Sequence, residues 1–186
     1  MFKIRPRQIA ELVGIMSMGY VFTRKDLSSE DNLSSSIHSG RGRSMQPELN
    51  VTEKDTDIII INHIPMQLSS FQVPERGKVA IIRSPSDPHK AVVKRIVATE
   101  HQKIIPRKDK LHHYTNDDPF VEDDPVTIPK GYCWVEGDNE KSSTDSNFYG
   151  PVPVALIQGY AEFVVYPRLK SISNTIPQST RERIKP

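Results

Sequence analysis

After residue 50 the chain carries no long apolar segment with a helical period, and its apolar runs are short, rich in β-branched residues and closed by prolines. Residues 57–63 (DIIIINH) and 78–83 (KVAIIR) end at Pro65 and Pro85, and 91–98 (AVVKRIVA), 132–136 (YCWVE) and 159–166 (GYAEFVVY) repeat the pattern. Runs of this length and composition, set between Pro-rich and acidic connections, are strands rather than helices. With 15 prolines against 9 glycines, a helix bundle is excluded and the fold class is mainly β.

The 186 residues correspond to one domain with appended segments. A net charge of +2, mixed along the chain, lacks the basic stripe of a protein that binds nucleic acid by neutralising phosphates. The single cysteine, Cys133, excludes an internal disulfide and any multi-cysteine zinc site. Residues 1–23 read as an N-terminal targeting or anchor segment, 24–41 as a Ser-rich polar linker, 42–169 as the β body, and 170–186 as a disordered, polar basic tail. Within the first segment, 9–22 (IAELVGIMSMGYVF) is apolar apart from Glu11 and is flanked by Lys3, Arg5 and Arg7 before it and Arg24 and Lys25 after it. It is shorter than the ~20 residues of a spanning helix. A membrane anchor and an amphipathic surface helix both fit it.

The usual catalytic constellations are missing. His112 and His113 are adjacent and face opposite ways on a strand, and His38, His63, His89 and His101 have no spaced partner. There is no His-Glu-x-x-His and no Gly-x-Ser-x-Gly. The acidic run Asp117, Asp118, Glu122, Asp123 and Asp124 has the wrong spacing for a calcium loop and reads as a solvated turn. Three segments remain: Ser44-Met45-Gln46-Pro47 before the β body, Lys94-Arg95 inside an apolar strand, and Gly137-Asp138-Asn139 followed by Ser142-Ser143-Thr144-Asp145-Ser146 and Tyr149-Gly150-Pro151-Val152. Taken singly, each has a plain reading: a turn, an edge-strand solubility device and a hairpin loop.

Taken together and in this order, these motifs resemble the type I signal peptidases. The wider wording (RSMQPELN, SPSDPHKAVVKRIVATE, IPKGYCWVEGDNEKSSTDSNFYGPVPVALIQG) is similar to the mitochondrial inner membrane branch, subunit 2 in particular, over about residues 42–168. The resemblance implies a signal-peptidase/LexA-like, β-rich catalytic domain behind a short N-terminal helical, membrane-associated segment. It implies a serine endopeptidase that removes N-terminal sorting peptides from precursor polypeptides delivered to the intermembrane space. It further implies a catalytic domain on that face of the inner membrane, a sister catalytic subunit in the same complex, and no metal or organic cofactor.

By the same resemblance Ser44 is the nucleophile and Lys94 the general base, Ser143 orients the lysine amine, and Asp138 and Asp145 hold the loop with Arg95 as their partner. The chemistry is coherent. A serine hydroxyl needs a base, and a lysine amine can serve once burial disfavours its charged form. Lys94 lies between Val92-Val93 and Ile96-Val97, where such desolvation is expected, and alternation sends Lys94 and Arg95 to opposite faces. Several positions depart from the family pattern. Gly42 offers no side-chain oxyanion donor, Arg43 precedes Ser44, Lys78 follows Gly77, His101-Gln102 replaces a Gly-Asp, and Asn147 stands where an arginine is usual, which removes one partner of Asp145. Two rival readings are a non-catalytic scaffold subunit and a self-cleaving repressor-type peptidase. The second would need a DNA-binding domain or an internal cleavage site, and residues 1–43 carry no helix-turn-helix signal.

Overall fold

The computed structural model describes residues 35–40, 42–51, 56–63, 73–107 and 125–185. The expected anchor at 9–22, the pair His112 and His113, and the acidic run from Asp117 to Asp124 lie outside the described residues. All described residues belong to the unit Leu33–Pro186. In chain order the strands are β1 (Ser35–Gly40), β2 (Asp57–Asn62), β3 (Val79–Arg83), β4 (Ala91–Thr99), β5 (Lys103–Ile104), β6 (Val126–Thr127), β7 (Tyr132–Glu136), β8 (Val152–Pro153), β9 (Ile157–Tyr166), β10 (Lys170–Ser171) and β11 (Ile184–Lys185). Two short helices, α1 (Ser146–Tyr149) and α2 (Gln178–Arg181), interrupt them. The mainly β expectation holds, and all five strands read from the sequence are present.

The larger sheet runs β1-β2-β9-β3-β4-β7-β8, with β10 added to β9, and β11-β5-β6 form a second sheet. Every pairing is antiparallel. Burial explains the order. In β2 Asp57, Ile59 and Ile61 are buried, the alternation of a strand covered on one face. In β3 Val79, Ala80, Ile81 and Ile82 are all buried, as a central strand covered on both faces requires. One face carries Met45, Leu49, Ile59, Ile61, Val79 and Ile81. The other carries Ala80, Ile82, Ile96, Cys133, Val135 and Tyr160. A third cluster of Val97, Ala98, Ile104, Ile128 and Trp134 lies under the small sheet, with Ile184 packed against it.

The hairpin between β3 and β4 closes where Ser84 N donates to Lys90 O at 2.8 Å, around Pro85 and Pro88. After β4 the chain turns at His101, whose φ of 66° is a conformation glycine takes more easily. There the Gln102 side chain accepts the Thr99 N–H at 2.9 Å. The expected Gly-Asp is thus replaced by a strained residue and a side-chain acceptor.

Two expectations about the flanks are overturned. Residues 35–40, assigned to the linker, form β1 and pair with β2 from Ser35↔Asn62 to Gly40↔Asp57. Main-chain hydrogen bonds make that pairing, and a Ser-rich run carries no alternation to announce it. The tail expected to be disordered beyond residue 169 instead holds β10, α2 and β11. Ile172, Ile176 and Thr180 are buried, so three isolated side chains in a polar segment anchor it. Gly77, just before β3, packs closely against this segment. It sits at φ 87°, and a Cβ there would lie 2.0 Å from the Asn174 carbonyl oxygen.

Gly77→Ala is therefore expected to destabilise the chain by about 1–3 kcal/mol, from overpacking together with backbone strain. Urea denaturation measures it. A change below ~0.5 kcal/mol, the level of an ordinary surface substitution, would show that the 172–177 backbone yields freely.

Candidate active site

Ser44 lies in the turn between β1 and β2. Met45 and Leu49 are sunk in the first core cluster, which anchors the turn from below. Asn50 closes it at φ 51°, a left-handed conformation that asparagine tolerates. Its Nδ2 donates to Gly42 O at 3.0 Å, and its main-chain N–H and side-chain oxygen each bond Asp57 at 2.9 Å. Glu48, on the same turn, accepts from Lys170 Nζ at 3.1 Å and from Ser173 N at 3.0 Å.

Lys94 and Arg95 lie on β4, an interior strand, so the edge-strand reading fails. They are only 4% and 2% exposed. Arg95 forks onto Asp138, Nε to Oδ1 at 2.7 Å and Nη2 to Oδ2 at 2.6 Å. Its Nη1 donates to Gly77 O at 2.7 Å and Ser173 O at 2.5 Å. Lys94 shares its side of the strand with Val92 and Ile96, members of the second core cluster. Its Nζ donates to Ser143 Oγ at 3.1 Å.

The loop after β7 brings these elements to one place. β4 and β7 pair with Arg95 opposite Glu136, so the chain leaving β7 passes directly over Lys94 and Arg95. Asn139 N donates to Ser44 O at 2.9 Å. A Cβ on Gly137 would stand 2.4 Å from Ser143 Oγ and 2.4 Å from Ser44 O. The two oxygens are therefore within twice that distance of each other, and only a hydrogen fits between them. The main chain of Ser44, the hydroxyl of Ser143 and the amine of Lys94 converge.

Asp145 is wholly buried at the N-terminus of α1. It accepts from Gly137 N at 3.0 Å, from Asn147 Nδ2 at 2.9 Å and from Arg107 Nη2 at 3.2 Å. Burial pushes its carboxyl up, but the Ser143 hydroxyl, the Arg107 charge, the Gly137 N–H and Asn147 outweigh it and hold the carboxyl below its ordinary value. The carboxylate is thus ionised at neutral pH and takes the Ser143 hydrogen. That leaves a lone pair of Ser143 Oγ for the Lys94 N–H. Cys133 is no competing nucleophile, because burial pushes its thiol up to about 12.

Two expectations change here. Arg95 partners Asp138 but not Asp145, whose cation is Arg107. Asn147 does not remove a partner from Asp145, since its amide bonds that carboxylate directly. Glu136, Arg107, Thr180 and Arg183 were missed altogether. The signal for Glu136 was an acid closing an apolar strand run. The two arginines lie after β5 and beside β11, far from any motif.

Residues 36–122 and 106–166 match the family described as signal peptidase, peptidase S26. The chain belongs to this family. Within the signal peptidases it is similar to the mitochondrial ATP-independent inner membrane protease subunit 1a of Arabidopsis thaliana, 38% identical over 68% of this chain and 67% of that one. It is similar also to the mitochondrial inner membrane protease subunit 2 of Mus musculus, 31% identical over 73% and 71%. The subunit 1 of Homo sapiens is 34% identical over 68% and 66%. Both subunit types thus stand among its relatives.

Gly137→Ala is expected to lower peptidase turnover by about 100-fold, the scale of an ångström misplacement of reacting groups, with circular dichroism unchanged. Wild-type turnover in that variant would mean that the loop can retreat from Ser44. For Asp145, a folded value below the unfolded 3.8 means that ionisation adds stability above pH 3.8, lost as pH falls through the folded value. Asp145→Asn is expected to lower stability at pH 7 and to flatten its fall below pH 3.8, as read by denaturant unfolding across pH.

Proposed function

We propose that this signal peptidase is a serine endopeptidase that uses Ser44 as nucleophile and Lys94 as general base. The observation that carries the reading is a buried lysine amine bonded to Ser143 Oγ, which itself packs against the Ser44 main chain across a glycine. Burial among apolar side chains favours the neutral amine, the form that can accept a proton. Ser44 Oγ attacks the scissile carbonyl carbon while its proton passes to Lys94 Nζ. The resulting ammonium protonates the departing amine, and the restored amine then draws a proton from the water that hydrolyses the acyl-serine. Ser143, its hydrogen committed to Asp145, orients the amine. The Ser44 main-chain N–H meets the oxyanion.

The relatives' names support an enzyme of the mitochondrial inner membrane. In this reading its catalytic domain faces the intermembrane space beside a sister subunit, with the N-terminal stretch at 9–22 as anchor. It removes sorting peptides from precursor polypeptides, which dock as an extended strand on a sheet edge.

Ser44→Ala and Lys94→Ala are each expected to abolish processing of precursors in mitochondria, with the double variant no worse than either single one. Wild-type processing by both variants would make the chain a scaffold subunit. Substantial activity in Lys94→Ala alone would assign the base elsewhere.

A further inference from the structure

Beyond Asp145 a second buried carboxylate, Glu136, carries no role in the chemistry above, yet it is among the most heavily bonded side chains in the described residues. Its Oε1 accepts from Trp134 Nε1 at 2.8 Å and Asn147 Nδ2 at 2.9 Å. Its Oε2 accepts from Arg107 Nη2 at 3.1 Å, Thr180 Oγ1 at 3.1 Å and Arg183 Nη2 at 2.5 Å. Arg183 also donates through Nη1 to Ile105 O at 2.9 Å. Two of these partners, Thr180 and Arg183, come from the C-terminal segment.

Arg107 is held unevenly. One nitrogen, Nη2, bridges Glu136 and Asp145, while its buried Nε and Nη1 have no hydrogen-bond partner. A buried guanidinium left half satisfied is costly, and its position is set by the two carboxylates that share Nη2. Arg183 supplies Glu136 with a cation of its own, which leaves Arg107 available to Asp145. Without Arg183, Glu136 would draw on Arg107 alone, and Asp145 would face an uncompensated negative charge.

We infer that Arg183 is a positioning residue of the peptidase site, acting through Glu136 and Arg107 to hold Asp145 and the Ser143 hydroxyl in register with Lys94. This rests on the proposed reading of Ser44 and Lys94. The titratable and charged groups facing Asp145 are Arg107 from the segment after β5, Glu136 from β7 and, across Ser143, the Lys94 amine from β4. Arg183 faces it across Glu136, and the Arg95–Asp138 pair lies at the other end of the same loop. The Arg107 charge already contributes to holding the Asp145 carboxyl low, so redirecting that charge moves the carboxyl up.

The test uses the full chain in detergent with Arg183→Gln, Arg183→Lys and Thr180→Val, and reads two quantities. The first is the titration of the Asp145 carboxyl carbon by NMR, assigned against Asp145→Asn, which needs no substrate. The second is kcat and KM against pH on a radiolabelled precursor that the wild-type chain cleaves. Arg183→Gln is expected to raise the Asp145 midpoint, to lower kcat about 10-fold or more with KM within about twofold, and to move the acid limb of kcat upward. Arg183→Lys, which keeps the charge, is expected to restore most of this. An unchanged Asp145 titration in folded Arg183→Gln overturns the inference. Should that variant not fold, Thr180→Val, which removes the other C-terminal donor to Glu136 Oε2, is expected to raise the Asp145 midpoint in the same direction, and a wild-type titration and kcat in it overturn the inference. Cleavage by a Ser44→Ala control would sink the reading of the nucleophile instead, while the titration still decides on Arg183.

Discussion

Two adjacent cations in the middle of an interior strand are the constraint from which the site follows. Lys94 and Arg95 have no water to solvate them, and a buried charge without a partner costs several kcal/mol. Arg95 meets that cost with a fork onto Asp138 and two main-chain carbonyls. Lys94 is treated differently: its Nζ donates to the Ser143 hydroxyl. Alternation thus hands two sequence neighbours to different surroundings.

The carboxylates complete that division. Asp138 neutralises Arg95, and Asp145 is satisfied by Arg107, three main-chain or amide donors and the Ser143 hydroxyl. Asp145 takes the Ser143 hydrogen and Ser143 Oγ accepts from Lys94 Nζ, so carboxylate, hydroxyl and amine stand in one chain of hydrogen bonds.

The parts legible in the sequence were those carried by local pattern. Runs such as 57–63 and 78–83 announce strands by β-branched residues and flanking prolines, Lys94 stood out as a cation inside an apolar strand, and Ser44 and the 137–145 loop stood out only through their order with it. What was not legible came from long-range pairing. β1 has no hydrophobic alternation, because its pairing is main-chain. Arg107 and Arg183 look like ordinary solvated charges until the fold sets them against Glu136. Asn147 read as a loss because its partners were judged from a family pattern, whereas in this chain its amide and a distant arginine divide the work.

The site draws on segments near residues 44, 94, 137–145 and 173–183, and β11 adds the closing strand of the small sheet. A chain emerging from its N-terminus holds Ser44 and Lys94 long before the segment that receives Arg95 through Ser173 and supplies Glu136 with Thr180 and Arg183. Until then Arg95 and Glu136 hold only part of their hydrogen bonds. The site is therefore complete only when residues 173–183 have packed against the segments that carry its buried charges.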